Sequence, residues 1–120
     1  MTAGEVMRSQ PHSVSPDDSL ARAAELMGIL GTRELPVVMG RRVVGVLTRT
    51  DMEPYRGHYE WTTVRAAMTP DPVTVRPDTP VRAVAGVLER GFNSVPVTHD
   101  GELVGMIARS DLVRLLARIG

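Results

Sequence analysis

The sequence contains no cysteine and no lysine. Without cysteine there is no disulfide, no Cys-ligated zinc and no iron–sulfur cluster. Formal net charge is zero, from 14 basic and 14 acidic side chains with no block of one sign. No nucleic-acid partner is expected from such a balance. The longest apolar runs, such as 35–39, fall far short of the ~20 residues that span a bilayer. The first residues lack the basic-then-apolar order of a secretory signal. A cytoplasmic protein without membrane contact is the expectation. The basic complement, His aside, is entirely Arg. Arg suits bidentate phosphate contacts, but genomic base composition yields the same bias.

Against these absences stands a repetition. Residues 45–51 read Gly-Val-Leu-Thr-Arg-Thr-Asp, and residues 105–111 read Gly-Met-Ile-Ala-Arg-Ser-Asp. A displacement of 61 positions pairs Met7 with Met68, Pro11 with Pro72, Val14 with Val75, and Pro16-Asp17 with Pro77-Asp78. After one extra residue near 28–32 the displacement becomes 60, pairing Pro36-Val37 with Pro96-Val97, Arg49 with Arg109 and Asp51 with Asp111. Matches over the whole length with one insertion at a helix end indicate internal duplication.

Each copy predicts strand, helix, strand, strand, helix, a mixed α/β pattern. In the first, 13–15 is a short strand and Asp18 caps a helix with Leu20, Ala23, Ala24, Met27 and Leu30 on one face. Gly31 stands where a helix C-terminal glycine is expected. Residues 35–39 and 43–47 form a hairpin through Gly40-Arg41, the second strand apolar enough for burial on both faces. In the second copy, 73–75 is the strand, Thr79 caps, and Pro80 takes the first helical position. Val81, Val84, Ala85 and Leu88 form the helical stripe, and Gly91 ends it. Strands 95–98 and 103–107 pair across Asp100-Gly101. A last helix carries Leu112, Leu115, Leu116 and Ile119. Between the copies, 53–63 is a connector holding Tyr55, Tyr59 and Trp61, all the aromatics but Phe92. Its rings cover the seam between repeats, or else wall a ligand.

These motifs, with Leu35-Pro36-Val37-Val38 and Val95-Pro96-Val97, resemble the cystathionine-β-synthase (CBS) domain, which occurs as tandem pairs called Bateman modules. The resemblance covers 5–52 and 64–118. It implies two repeats packed through their sheets around a pseudo-two-fold axis, with two clefts, and a module that commonly forms homodimers. It also implies an adenosine-containing small molecule, such as AMP, ADP, ATP, NAD or S-adenosylmethionine, held as a regulatory ligand rather than a cofactor, and an effector protein whose identity is unknown. An Asp at the first helical turn can accept from both ribose hydroxyls. Thr50 or Ser110, one residue earlier, can donate to a phosphate, and the helix N-terminus favours the same anion. By resemblance the Asp111 cleft adds Gln10 and His12. The Asp51 cleft adds Asp71 and Val73, and its motif has Thr48 where the other has Ala108, one hydroxyl more.

Other readings stay open. Ser, Thr and Asp are the preferred helix caps, and duplication copies a cap as faithfully as a site. Some nucleotide-binding members carry a basic residue just before the second strand; here those positions are Glu34 and Ser94, beside Arg33 and Asn93. The Asp111 cleft, less acidic, suits a phosphorylated ligand, and the Asp51 cleft one without a phosphate, or none. Arg49 and Arg109 point to solvent by strand alternation. His12, His58 and His99 have no metal-ligand spacing, so no metal site is expected. No nucleophile, base and metal coincide, so the chain is not expected to be an enzyme. The alternative to a ligand sensor is a ligand-free structural or dimerisation module using the apolar last helix.

Overall fold

The computed structural model describes residues 1–119, Ile119 as backbone only. The chain is mixed α+β. In order it forms α1 (Ala3–Val6), β1 (Arg8–Ser9), α2 (Leu20–Leu30), β2 (Glu34–Met39), β3 (Arg42–Thr48), α3 (Arg49–Met52), two 3₁₀ turns (Glu53–Tyr55 and Tyr59–Trp61), α4 (Val64–Ala67), β4 (Thr69–Pro70), α5 (Val81–Glu89), β5 (Ser94–His99), β6 (Glu102–Ala108) and α6 (Arg109–Ile119).

These elements gather into two compact units that cross the duplication. One is Met1–Pro11 with Val73–Gly120, the other His12–Pro72. The first eleven residues, part of the first copy by sequence, thus complete the body of the second. Within that unit β6 pairs antiparallel with β1 on one edge and β5 on the other. Ala3 N–H donates to Thr79 O at 2.7 Å and Gly4 N–H to Pro77 O at 2.8 Å. Ala3, Val84, Leu88, Val95, Val97 and Ile107 form its core, with Met7 and Leu112 packed against them. In the His12–Pro72 unit β3 lies antiparallel between β2 and β4. Its core is built on Leu20, Met27, Leu35, Leu47, Met52 and Val64.

Both β1 and β4 pair with their neighbouring strand beside a glycine, Ser9 opposite Gly105 and Pro70 opposite Gly45. A Cβ at Gly45 would stand 2.8 Å from Met68 Sδ and 2.9 Å from Thr69 O. One at Gly105 would run into the Met7 thioether and stand 3.0 Å from Arg8 O. The hairpins form as their turn chemistry dictates. Asp100 and Gly101 both take positive φ, 53° and 81°, the requirement of a two-residue type I′ turn. Gly31 closes α2 in the left-handed region at φ 66°.

Several boundaries differ from expectation. Ser19, not Asp18, caps α2, its side chain accepting from Arg22 N–H. Asp18 instead accepts from Ser15 N–H at 2.9 Å, closing the approach turn. Pro80 is the cap of α5 rather than its first residue, and Thr79 Oγ1 accepts from Arg76 N–H. The strands expected at 13–15 and 73–75 shrink to single parallel bridges, Val14 to Val37 and Val75 to Val97. In β3, Gly45 and Leu47 are buried but Val44 and Val46 only half-buried, so one face is fully covered. The helix after Asp51 is one turn, because Pro54 follows at once and the chain passes into 3₁₀ geometry. On α6, Leu112 and Leu115 are half-buried while Leu116 is exposed; the side chain of Ile119 lies outside the described residues. Among the described residues no helix is long and apolar enough to cross a membrane.

The connector does not form one aromatic wall. Tyr55 and Tyr59 pack onto the core of the His12–Pro72 unit. The Tyr55 hydroxyl donates to Ala66 O at 3.1 Å. Trp61 is 74% exposed and its indole N–H donates to His58 Nδ1 at 3.4 Å.

Candidate functional site

The two motif aspartates stand alike on the backbone and differ in what holds them. In α3, Asp51 is the third residue of a capping box. Its Oδ2 accepts from Thr48 N–H at 3.0 Å, and Thr48 Oγ1 accepts from Asp51 N–H at 3.1 Å. Among the described residues Asp51 has no ion pair. In α6 the same first half exists, Asp111 Oδ2 accepting from Ala108 N–H at 2.8 Å. Ala108 has no hydroxyl to return the bond, so the box is half closed.

What Asp111 has instead is arginine. Its Oδ1 accepts from Arg8 Nε at 3.1 Å and from Arg114 Nη2 at 2.5 Å. The carboxylate is 7% exposed, whereas the two arginine side chains are 61% and 63% exposed. A nearly buried carboxylate thus anchors two guanidiniums that lean over it from solvent. Arg8 comes from β1, which the pairing with β6 holds opposite Met106. Arg114 comes from the next turn of α6, three residues on, the spacing that brings helical neighbours together.

Of the expected site residues, Ser110 and Thr50 are exposed, directly before their aspartates. Gln10 lies in the same compact unit as Asp111, two residues after Arg8, and Asp71 in the same unit as Asp51. Both take left-handed backbone, φ 50° at Gln10 and 48° at Asp71, at matching places in the duplication. That conformation is unfavourable for a side chain with a Cβ. Here it sharply turns the chain out of β1 and β4, with Gln10 N–H donating to Val104 O and Asp71 N–H to Val44 O. His12 and Val73 fall in the opposite unit from the aspartate assigned to each, and both are exposed. Glu34 and Ser94 open β2 and β5.

The sequence reading missed Arg8 and Arg114. Arg114 was signalled by its i+3 position from Asp111. Arg8 carries one trace, that it stands where the other copy has Thr69. Arg109 corrects an expectation. It does not simply point to solvent: its Nη2 donates to Leu88 O at 2.5 Å and Phe92 O at 2.9 Å, capping the C-terminal end of α5. Arg49 is exposed as expected. Among the described residues no group of three His, Asp or Glu lies together in a way that could hold a metal ion.

Comparison with known proteins gives these features a context. The CBS domain family model matches residues 3–53 and 64–118. A curated relative, inosine-5′-monophosphate dehydrogenase of Korarchaeum cryptofilum, is 37% identical over 102 residues, 83% of this chain and 21% of that protein. The chain spans less than half the length of the curated relatives it matches. Among solved structures, CBSX2 in complex with AMP is 30% identical, with a TM-score of 0.87 over 98% of this chain and 97% of that one. A further structure of CBSX2, a CBS-pair protein from Arabidopsis thaliana, is 28% identical with a TM-score of 0.90, covering 98% of this chain and 95% of that one.

Proposed function

The chain belongs to the CBS-domain family, and on that premise we propose that it is a regulatory sensor of an adenine nucleotide, bound at Asp111. The observation that carries the reading is the carboxylate itself. Asp111 is fixed at the first turn of an eleven-residue helix, with Ser110 exposed beside it and Gln10 in the same unit. A carboxylate so held accepts from the cis hydroxyls of a ribose, and the hydroxyl and helix N-terminus beside it serve the phosphate. The AMP complex of the 30% identical CBSX2 supports the same ligand class. Binding shifts the population between conformations of the module, and an effector protein or a second copy of the chain responds to the shift.

Isothermal calorimetry with AMP tests this, paired with a thermal-shift screen that adds ADP, ATP, NAD and S-adenosylmethionine. A ligand at a hundred times its dissociation constant adds about 2.7 kcal/mol of stability. Asp111→Ala should abolish the binding while the far-ultraviolet circular dichroism stays that of the parent. Unchanged affinity in a folded Asp111→Ala protein rejects the site.

A structural reading is favoured for Asp51 alone. Its capping box satisfies the helix terminus without a ligand. Asp51→Ala should therefore cost stability and leave nucleotide binding intact.

A further inference from the structure

We infer that Arg8 and Arg114 form a guanidinium clamp that makes the Asp111 site selective for a phosphorylated adenosine over the neutral nucleoside. The inference rests on the proposed nucleotide site and adds what that site discriminates. Both guanidiniums converge on one oxygen, Asp111 Oδ1, the other oxygen being held by Ala108 N–H. Among the described residues that oxygen is the sole acceptor of either guanidinium. Each guanidinium has five N–H donors and spends one of them there. Two cations on one carboxylate leave one positive charge in excess.

A ribose that donates its hydroxyls to Asp111 must share or take Oδ1. The arginines then need another acceptor. A 5′-phosphate supplies several, in the planar, bidentate geometry that guanidinium matches. A neutral nucleoside offers only uncharged acceptors and no anion, so its binding leaves the clamp with weaker contacts. The other copy shows the contrast. Where the Asp111 site has Arg8 and Arg114, the equivalent positions hold Thr69 and Pro54, and among the described residues no cation pairs with Asp51. The duplication thus carries one carboxylate clamped by cations and one held by its capping box.

The test is calorimetry of the full chain with AMP and with adenosine, the site being read from the amide shifts of Ser110 and Asp111. The parent should bind AMP at least about tenfold more tightly than adenosine, the scale of one charge-assisted contact. Arg8→Gln and Arg114→Gln should each narrow that ratio about tenfold. They do so by weakening AMP while adenosine holds or improves, because Oδ1 is released. Arg→Lys at either position should keep part of the AMP preference, and added salt should reduce it in the parent. A double variant that melts like the parent and keeps the parent's ratio overturns the clamp and leaves the nucleotide site standing. If the double variant fails to fold, the singles, each keeping one cation on Asp111, decide the same question. No heat and no amide shift with either probe overturns the nucleotide site, and the clamp with it.

Discussion

At the scale of single residues, steric room decides more than chemistry. Gly45 and Gly105 lie where β4 and β1 pair with a neighbouring strand, and a methyl group at either has no space. At Gly45 the obstruction includes a backbone carbonyl, Thr69 O at 2.9 Å, which cannot swing aside as a thioether can. Gly45→Ala should cost about 1–3 kcal/mol, the range for overpacking a close-packed site. A urea titration reads it as a lower midpoint at unchanged slope, and an unchanged midpoint refutes the steric account. The glycines were legible as part of the repeated motif. Their reason was not, because the atoms that crowd them belong to residues 68–69 and 7–8, and nothing local in a sequence announces which distant segment packs there. The same holds for Arg8, whose partner Asp111 is 103 positions away. Arg114 was within reach of spacing rules alone.

At the scale of elements, turns and caps were readable because their chemistry is local. Asp100-Gly101, Gly31 and the hairpins fell where residue type places them. The errors are of one position, as at Ser19, where two capping residues in succession competed, and at Pro80, which precedes the helix without a side-chain cap bond. The closed box of α3 and the half-closed one of α6 allow a paired test. Thr48→Ala removes a hydroxyl that accepts from Asp51 N–H and should destabilise by about 1 kcal/mol. Ala108→Thr supplies the same hydroxyl to α6 and should stabilise by several tenths of a kcal/mol up to about 1. Thermal melts of the two single variants should move in opposite directions, and movement in the same direction rejects the shared geometry.

Another element responds to acid. Glu5 closes the capping box of α1, its carboxylate accepting from Thr2 N–H at 3.0 Å. That hydrogen bond to the Thr2 backbone, with one from the Thr2 hydroxyl, holds the Glu5 pKa below its ordinary value. A depressed carboxylate contributes stability above its unfolded pKa and loses it as pH falls through the folded one. Hydrogen exchange of the α1 amides should therefore accelerate, beyond the intrinsic trend, below the ordinary glutamate range, and Glu5→Gln should remove that pH dependence.

At the scale of the whole molecule, the duplication in the sequence and the compact units in space are not the same partition. The sequence displays two copies in order, while Met1–Pro11 packs with Val73–Gly120. The link consists of backbone bonds from Ala3 and Gly4 to Thr79 and Pro77, the β1–β6 pairing, and the burial of Ala3 and Met7. Burial of about two apolar side chains contributes on the order of 3 kcal/mol. Domain stabilities are about 5–15 kcal/mol in all. Deleting residues 1–11 should therefore unfold or severely loosen the unit that contains the second copy, although no residue of that copy is touched. It should spare the His12–Pro72 unit, whose core draws on none of the deleted side chains. Residue-resolved hydrogen exchange separates the possibilities. Protection lost across β5 and β6 but kept in β2 and β3 marks the crossed partition. Protection lost in β2 and β3 instead would mean that the sequence copies are the folding units. The distinction bears on function because Arg8 and Gln10 reach the Asp111 unit only through this segment. A chain without it should lose the proposed nucleotide binding even where fragments of the second copy retain helix and strand.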